Sequence, residues 1–416
     1  MPIPASWDAP AGKDEGRLSL ASSFHVPVSS PFTTPKLAHL LASGGGCRVG
    51  IVGFGTVGSA VARRLTGCDA VPGVTLSHVC DRRAAEKQSC LPGDSGITWT
   101  TAIVDLLRSD VDVIVETVGG VDPAAGWIRD ALLAGKSVVT ANKQVIAREG
   151  QPLLVLAARQ GRQLRFEAAV GGAMPIVRAI GDGLAGDRLR RIVAILNGTT
   201  NAVLSRMEVT GCSLDAALAD AQRRGYAEAD PSLDLDGGDA AAKLAILCAL
   251  AFGVRVDVTR IETQSTRTVT SADFDAARRQ GGTIRQLAHA EYDPERAALT
   301  AWVAPTVVPR GSVFARTVGA QNAAVISGVH AGEVAISGAG AGGDATAVAV
   351  ISDILAIARD RAAVVPAPVL TLPRAITGLA SGNTFPVVGA DLRVRPGADI
   401  SDFRFQISDF AEAEAV

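Results

Sequence analysis

Four charged side chains, Asp234, Asp236, Asp239 and Lys243, crowd into ten residues that lead into the apolar run Leu244-Ala245-Ile246-Leu247. Asp239 and Lys243 are four apart, so a helix brings them onto one face. Facing a cleft, that pair can hold a proton donor beside a polar substrate. Facing water, the same spacing is a solvated ion pair worth about 0.5 kcal/mol. A second lysine, Lys143, follows Thr140-Ala141-Asn142 at the end of an apolar run. There it can hydrogen-bond a reacting oxygen and be held by Asn142, or it can be an ordinary solvent-facing lysine at a strand end.

The third group with chemical promise is Gly53-Phe54-Gly55-Thr56-Val57-Gly58, which follows the β-like Arg48–Val52 and opens a helical pattern. In this setting the first glycine permits a tight turn and the second lets the backbone approach a pyrophosphate. The third allows the helix to pack close to the strand, with its N-terminus facing the phosphates. Asp81 ends the next strand candidate, 23 residues past Gly58, where a carboxylate can accept from the ribose hydroxyls of NAD. Arg82 and Arg83 beside it suit the extra phosphate of NADP, so the residues leave the cofactor open. Glu116-Thr117-Val118-Gly119-Gly120 closes a further strand candidate, at the edge where ligands of such sheets collect.

These residues need strands and helices to position them. Strand candidates at 48–52, 76–80, 111–116 and 137–140 alternate with helical spacing after Gly58 and over 127–133. That alternation predicts a Rossmann-type, doubly wound parallel sheet over 47–143. From 144 to 320 the texture changes to a mixed α/β domain. Strands are expected at 164–170 and 189–195, and helices at 176–184, 214–224, 240–252 and 276–290. Residues 321–360 contain a Gly/Ala-rich stretch, 338–343, before a helical pattern at 345–358. Residues 1–46, ending in Ser43-Gly44-Gly45-Gly46, read as a flexible leader. Residues 361–416 carry Pro366, Pro368 and Pro373 and an acidic end, and suggest no role.

Composition excludes several classes. Forty basic against 42 acidic side chains give no field to attract nucleic acid or an anionic membrane. The longest apolar run, 244–254, is about half of a membrane span. Residues 1–30 lack the apolar segment of a secretory signal. Six cysteines without paired spacing read as reduced thiols in a cytoplasmic protein, and five scattered histidines argue against a histidine metal site.

Longer strings now add to this reading. Val138-Val139-Thr140-Ala141-Asn142-Lys143, Phe166–Gly172 with Pro175-Ile176, Ile195–Asn201 and Gly225–Pro231 leading into Asp234–Ile246 resemble homoserine dehydrogenases, in order, over about 49–353. The resemblance implies NAD(P)-dependent interconversion of L-aspartate 4-semialdehyde and L-homoserine. It implies that Lys243 is the catalytic lysine handling the proton at the substrate oxygen, and that Lys143 meets both the nicotinamide end of the cofactor and the substrate. Glu228, Asp239 and Asp234 would bind the substrate, with Glu228 suited to its α-ammonium group. Gly53, Phe54, Gly55, Thr56, Val57, Gly58, Asp81, Arg82, Thr117 and Gly342 would line the cofactor site. Gly340 and Gly342 resemble a segment returning to the cofactor domain.

Glu167, with carbonyls at Val170, Gly172 and Met174, resembles the family's structural sodium site, an oxygen-only set suited to a hard cation. The second domain, catalytic and dimerising in the family, implies a homodimer. Two lysines near one oxygen should each depress the other's proton affinity, with Asp239 opposing.

The chain also departs from the family. Ser312-Val313-Phe314-Ala315 replaces the common His-Pro-Leu-Ala ahead of Asn322-Ala323, which points to an altered cleft contact and altered substrate scope. The tail is too short for the regulatory domain of many bacterial members, and the leader has no counterpart in the family core. Two further readings follow: a dehydrogenase of a modified amino-acid aldehyde in a specialised pathway, or a cofactor-binding protein without turnover.

Overall fold

The computed structural model describes residues 46–68, 70–91, 96–228, 230–360 and 371–378. Most of the expected leader and tail lies outside them. The first sheet has strands β1 (Cys47–Val52), β2 (Val74–Cys80), β3 (Thr98–Thr100), β4 (Val113–Glu116), β5 (Ser137–Thr140) and β6 (Leu164–Arg165). Their order is β3-β2-β1-β4-β5-β6 and every neighbouring pair is parallel. This is the doubly wound order, with the chain reversing direction between β1 and β4. All four residues of β4 and of β5 are buried, which is why the sequence around β4 reads as a continuous apolar run.

Helices α1 (Thr56–Thr66), α2 (Ala124–Leu133) and α3 (Lys143–Arg159) connect these strands. Ala60, Val61, Ala62 and Leu65 of α1 share one core with Val49 and Ile51 of β1. The long α3 lies in a stretch for which the sequence suggested no helix.

The second sheet has the order β12-β11-β7-β9-β10-β13, with the two-residue β8 (Glu262–Thr263) also pairing to β10. Its strands are β7 (Leu189–Ile195), β9 (Gly282–Asp293), β10 (Ala298–Pro309), β11 (Gln321–Gly328), β12 (Glu333–Ala339) and β13 (Ala375–Thr377). Helices α4 (Gly198–Thr210), α5 (Leu214–Arg223), α6 (Gly238–Phe252) and α7 (Ser271–Arg279) belong to this half. One core joins Leu244 and Leu247 of α6 to Ile192 and Ala194 of β7, Ala288 and Ala290 of β9, and Leu299 and Val303 of β10. A second cluster on the opposite face holds Val193, Ile195, Trp302 and Phe314.

Three expected elements differ. The helix expected at 276–290 is α7 ending at Arg279, followed by strand β9. Gly281, at φ 71°, breaks the helix, and β9 pairs with β10 along twelve residues. Because Gly282–Ala290 are all buried, the strand lacks the alternation that would have revealed it. The strand expected at 164–170 is only Leu164–Arg165, and it belongs to the parallel sheet. Beyond it, Glu167–Ala169 form a 3-10 turn in which the Glu167 N–H donates to Asp353 at 2.9 Å. The helix expected at 176–184 is one α turn followed by a π turn.

Strands β11 and β12 lie in the second sheet, so the return to the first is made by α8 (Gly343–Arg359) alone. Its Ala347, Val350 and Ile354 join the core of α1 and β1. Among the described residues no helix is long and apolar enough to cross a membrane.

Candidate active site

The glycine loop has the geometry its spacing predicted. Gly53 has φ 90°, and a Cβ there would lie 2.9 Å from the Val118 side chain. A Cβ on Gly58 would collide with the Gly53 carbonyl oxygen, so only glycine lets α1 pack this close. Gly55 has nothing within 4 Å, leaving its backbone open to a ligand at the N-terminus of α1. Such a cradle fits a dinucleotide pyrophosphate. Thr117 Oγ1 donates to the Gly53 carbonyl at 2.7 Å, tying the end of β4 to the loop. Phe54 turns its ring onto Trp99, 4.9 Å between centroids, so only its backbone faces the loop. The returning segment arrives here as well: Gly342 has φ 110°, and a Cβ on Gly343 would lie 2.8 Å from the Thr56 carbonyl oxygen.

Asp81 is already engaged by the protein. Its Oδ2 accepts from Phe54 N and from Lys87 Nζ, 2.7 and 2.8 Å, and Oδ1 accepts from Arg83 N at 2.8 Å. Burial would raise its pKa, but the bonds from Lys87, Arg83 and Phe54 outweigh it and hold the carboxyl below its ordinary value. Arg82 and Arg83 are exposed beside it. Lys87 was not singled out in the sequence, since nothing in its spacing from Asp81 marks it.

At the ends of β4 and β5, Glu116 is buried. It accepts from Val118 N at 2.7 Å and from Thr140 Oγ1 at 2.5 Å, and burial pushes its pKa up to about 7. Asn142 caps α3 by accepting from Val145 N at 3.2 Å, while its amide donates to the Val118 and Gly120 carbonyls at 3.0 and 2.7 Å. Lys143, the first residue of α3, is thereby held at the carboxyl edge of the parallel sheet.

Lys143 meets the other half of the molecule there. Its Nζ is 2.6 Å from Oδ1 of Asp239, whose side chain is only 6% exposed. Lys243, one turn along α6, is 2.9 Å from the Oδ2 of the same carboxylate and donates to the Leu196 carbonyl at 2.8 Å. Burial would raise the Asp239 pKa; the ammonium groups of Lys243 and Lys143 overcome it and hold the carboxyl far below its usual range. For Lys143, burial pulls the pKa down but the Asp239 charge prevails, aided by Asp234 and Glu228, so the net shift is upward. The opposition expected from Asp239 therefore wins at this lysine.

Asn197 completes the group, donating to Asp234 Oδ1 at 2.7 Å and to Asp239 Oδ2 at 2.9 Å. Burial raises the Asp234 pKa, and the Asn197 bond works against it. The sequence reading gave Asn197 no role, although an Asn after a strand and before Gly-Thr-Thr is a helix-start signal. Glu228 is exposed, and among the described residues its carboxylate bonds to none of this cluster. The arrangement sets two ammonium groups against one buried carboxylate. It can stabilise charge developing on a reacting oxygen and deliver a proton to it.

The remaining expectations are placed as follows. Both oxygens of Glu167 accept backbone N–H groups, from Val177 and Arg178 at 2.9 Å each, and the Arg178 guanidinium is 3.9 Å away. Burial nevertheless outweighs these partners and pushes the Glu167 pKa up to about 7. Val170 and Gly172 are buried, and among the described residues their carbonyls accept no hydrogen bond, whereas Met174 O accepts from Ile176 N at 2.8 Å. The two orphaned carbonyls beside this buried carboxylate are an oxygen set that fits a hard cation. Ser312 caps the short helix Val313–Arg316, and Phe314 packs with Trp302 on the face of the second sheet turned away from α6.

Comparison with known proteins places this geometry. The family model for the NAD-binding domain of homoserine dehydrogenase matches residues 53–167, and the model described as homoserine dehydrogenase matches 175–355. The homoserine dehydrogenase of Corynebacterium glutamicum is 38% identical over 334 residues, covering 76% of this chain and 74% of that protein. That of Mycobacterium tuberculosis is 40% identical over 319 residues, 75% and 72% of the two chains. Among solved structures, a homoserine dehydrogenase from Thiobacillus denitrificans superposes with a TM-score of 0.73 at 33% identity, covering 80% of each chain. A hyperthermophilic archaeal homoserine dehydrogenase in complex with NADPH gives 0.60 at 28% identity, over 74% of this chain and 97% of that one. The chain belongs to the homoserine dehydrogenase family of NAD(P)-dependent oxidoreductases.

Proposed function

We propose that the protein reduces L-aspartate 4-semialdehyde to L-homoserine, and that Lys243 and Lys143 act directly on the substrate oxygen. The observation that carries this reading is the buried Asp239 carboxylate, which holds one ammonium from each half of the molecule. When bound, the reduced nicotinamide supplies the hydride. Lys243, braced by Asp239 and the Leu196 carbonyl, points its ammonium where the aldehyde oxygen gains charge and gives up a proton to it. Lys143 stabilises the same charge from the edge of the parallel sheet. Exposed Glu228 receives the α-ammonium of the amino acid. Asp234 and Asp239 keep the lysines and the bound amino acid in register. Near-complete burial of Asp239 shields its carboxylate from water and strengthens both contacts to it.

NADPH is proposed as the preferred reductant. Lys87 compensates the Asp81 charge that would repel a 2′-phosphate, and Arg82 and Arg83 stand exposed to receive it. A sodium ion, where it binds, rests on the Val170 and Gly172 carbonyls, and no chemical step passes through it. A homodimer is proposed on the family resemblance; light scattering at micromolar concentration tests it. All six cysteines are free, which supports a reducing, cytoplasmic setting.

The test is product identification. Incubation with L-aspartate 4-semialdehyde and NADPH should yield L-homoserine in a 1:1 ratio to cofactor consumed. Turnover confined to semialdehydes with a blocked α-amine would favour the modified-aldehyde reading instead.

A further inference from the structure

We propose that Asn197 is a positioning residue that fixes the spacing of the two acid groups and, through them, of the two lysines. This inference rests on the catalytic reading above and adds a residue to it. Asn197 is buried and sits between β7 and α4 as the cap of that helix. Its Oδ1 accepts from Thr200 N at 2.7 Å, which settles the amide orientation: the NH2 group must face the other way. Both of its hydrogens are then used, one on Asp234 Oδ1 at 2.7 Å and one on Asp239 Oδ2 at 2.9 Å.

A neutral donor shared by two carboxylates lets them approach without a cation between them. The preceding residue, Leu196, offers its carbonyl to Lys243, so two consecutive residues hold the lysine and its counter-ion. Backbone placement is handled separately. Thr200 Oγ1 donates to the Asp234 carbonyl at 3.0 Å and Thr199 Oγ1 to the Tyr226 carbonyl at 2.6 Å. Beside its capping bond to Thr200 N, Asn197 therefore acts on the side chains of Asp234 and Asp239. Without its amide, the two carboxylates repel. Asp234 relieves that by taking up a proton, and Asp239 is free to turn out of register with Lys143 and Lys243.

The test separates capping from positioning. Asn197→Ser keeps a helix-capping oxygen but cannot reach either carboxylate; Asn197→Ala loses both roles. The expected result for Asn197→Ser is a melting temperature close to native, an unchanged KM for NADPH, and kcat lowered about ten- to a hundredfold. The acid limb of kcat/KM should move to higher pH, because Asp234 loses the donor that opposes its protonation while Asp239, Lys143 and Lys243 still face it. Carboxyl-carbon NMR titration of Asp234 in native and Asn197→Ser protein reads the same shift without turnover. It therefore judges this inference even if the native protein proves inactive on the semialdehyde. Native kcat with an unmoved Asp234 titration in Asn197→Ser overturns the proposal. So does a fall in melting temperature matching Asn197→Ala with the acid limb unmoved.

Discussion

Lys143 Nζ lies 2.6 Å from Oδ1 of Asp239, joining the first residue of the helix that leaves β5 to the first turn of the helix that carries Lys243. One carboxylate thus couples the parallel-sheet half of the molecule to the half proposed to hold the substrate. Asp239→Asn should lower kcat/KM about a hundred- to a thousandfold, as loss of one preorganised electrostatic group does elsewhere. The sign with pH follows from both partners. The Asp239 pKa is depressed below 3.8 in the fold, so its stabilisation is present above that value and fades as pH falls below it. The Lys143 pKa is raised above 10.5, so its share is present below that value and fades as pH rises past it. Asp239→Asn should abolish the acid-side dependence and weaken the alkaline one, where Asp234 and Glu228 still act on Lys143, and urea melts at pH 3, 7 and 11 check this.

The Asp81–Lys87 pair should set cofactor choice. Lys87→Ala removes the cation that balances the Asp81 charge beside the proposed 2′-phosphate position and leaves Oδ2, still bonded to Phe54 N, with a lone pair open to a ribose hydroxyl. The ratio of kcat/KM for NADPH to that for NADH should fall about tenfold, equivalent to about 1.4 kcal/mol. Initial rates with both cofactors measure it, and an unchanged ratio removes Lys87 from this role.

Glu116 should make the native protein less stable as it ionises. Its pKa is about 7 in the fold against 4.5 ordinarily, so between those values the folded state binds more protons than the unfolded one. Stability from this group is full below 4.5 and is lost as pH rises through 7, by about 3 kcal/mol in all. Glu116→Gln keeps an acceptor for Val118 N and has no proton to lose. The difference in unfolding free energy between variant and native should therefore shift in the variant's favour from pH 4.5 to pH 8. Denaturant melts at those two values compare them.

Much of this site was legible because its chemistry is local. Gly53, Gly55 and Gly58 sit between one strand and one helix, and Asp239 and Lys243 share a helical face, so spacing alone brings each set together. Lys143 reaches Asp239 only through the packing of α3 against α6, which no spacing reports; family resemblance supplied that link. Asn197 lies in the Ile195–Asn201 stretch that resembles the family, but its bonds run to residues far along the chain. Strands β9 and β10 were misread or unread because both of their faces are covered, so the period of two that marks a strand is erased. That Phe314 packs with Trp302 on the face of the second sheet turned away from α6 is likewise a long-range contact that no local spacing reports.

The most direct test is single-turnover consumption of NADPH with L-aspartate 4-semialdehyde, in native protein and in Lys243→Ala, with NADPH affinity measured separately by fluorescence. The account predicts rapid reduction by the native protein, a loss of about a thousandfold or more in Lys243→Ala, and equal NADPH affinity in both. A variant that reduces the aldehyde within about tenfold of the native rate would contradict it, because the proton would then reach the substrate oxygen without the Lys243 ammonium.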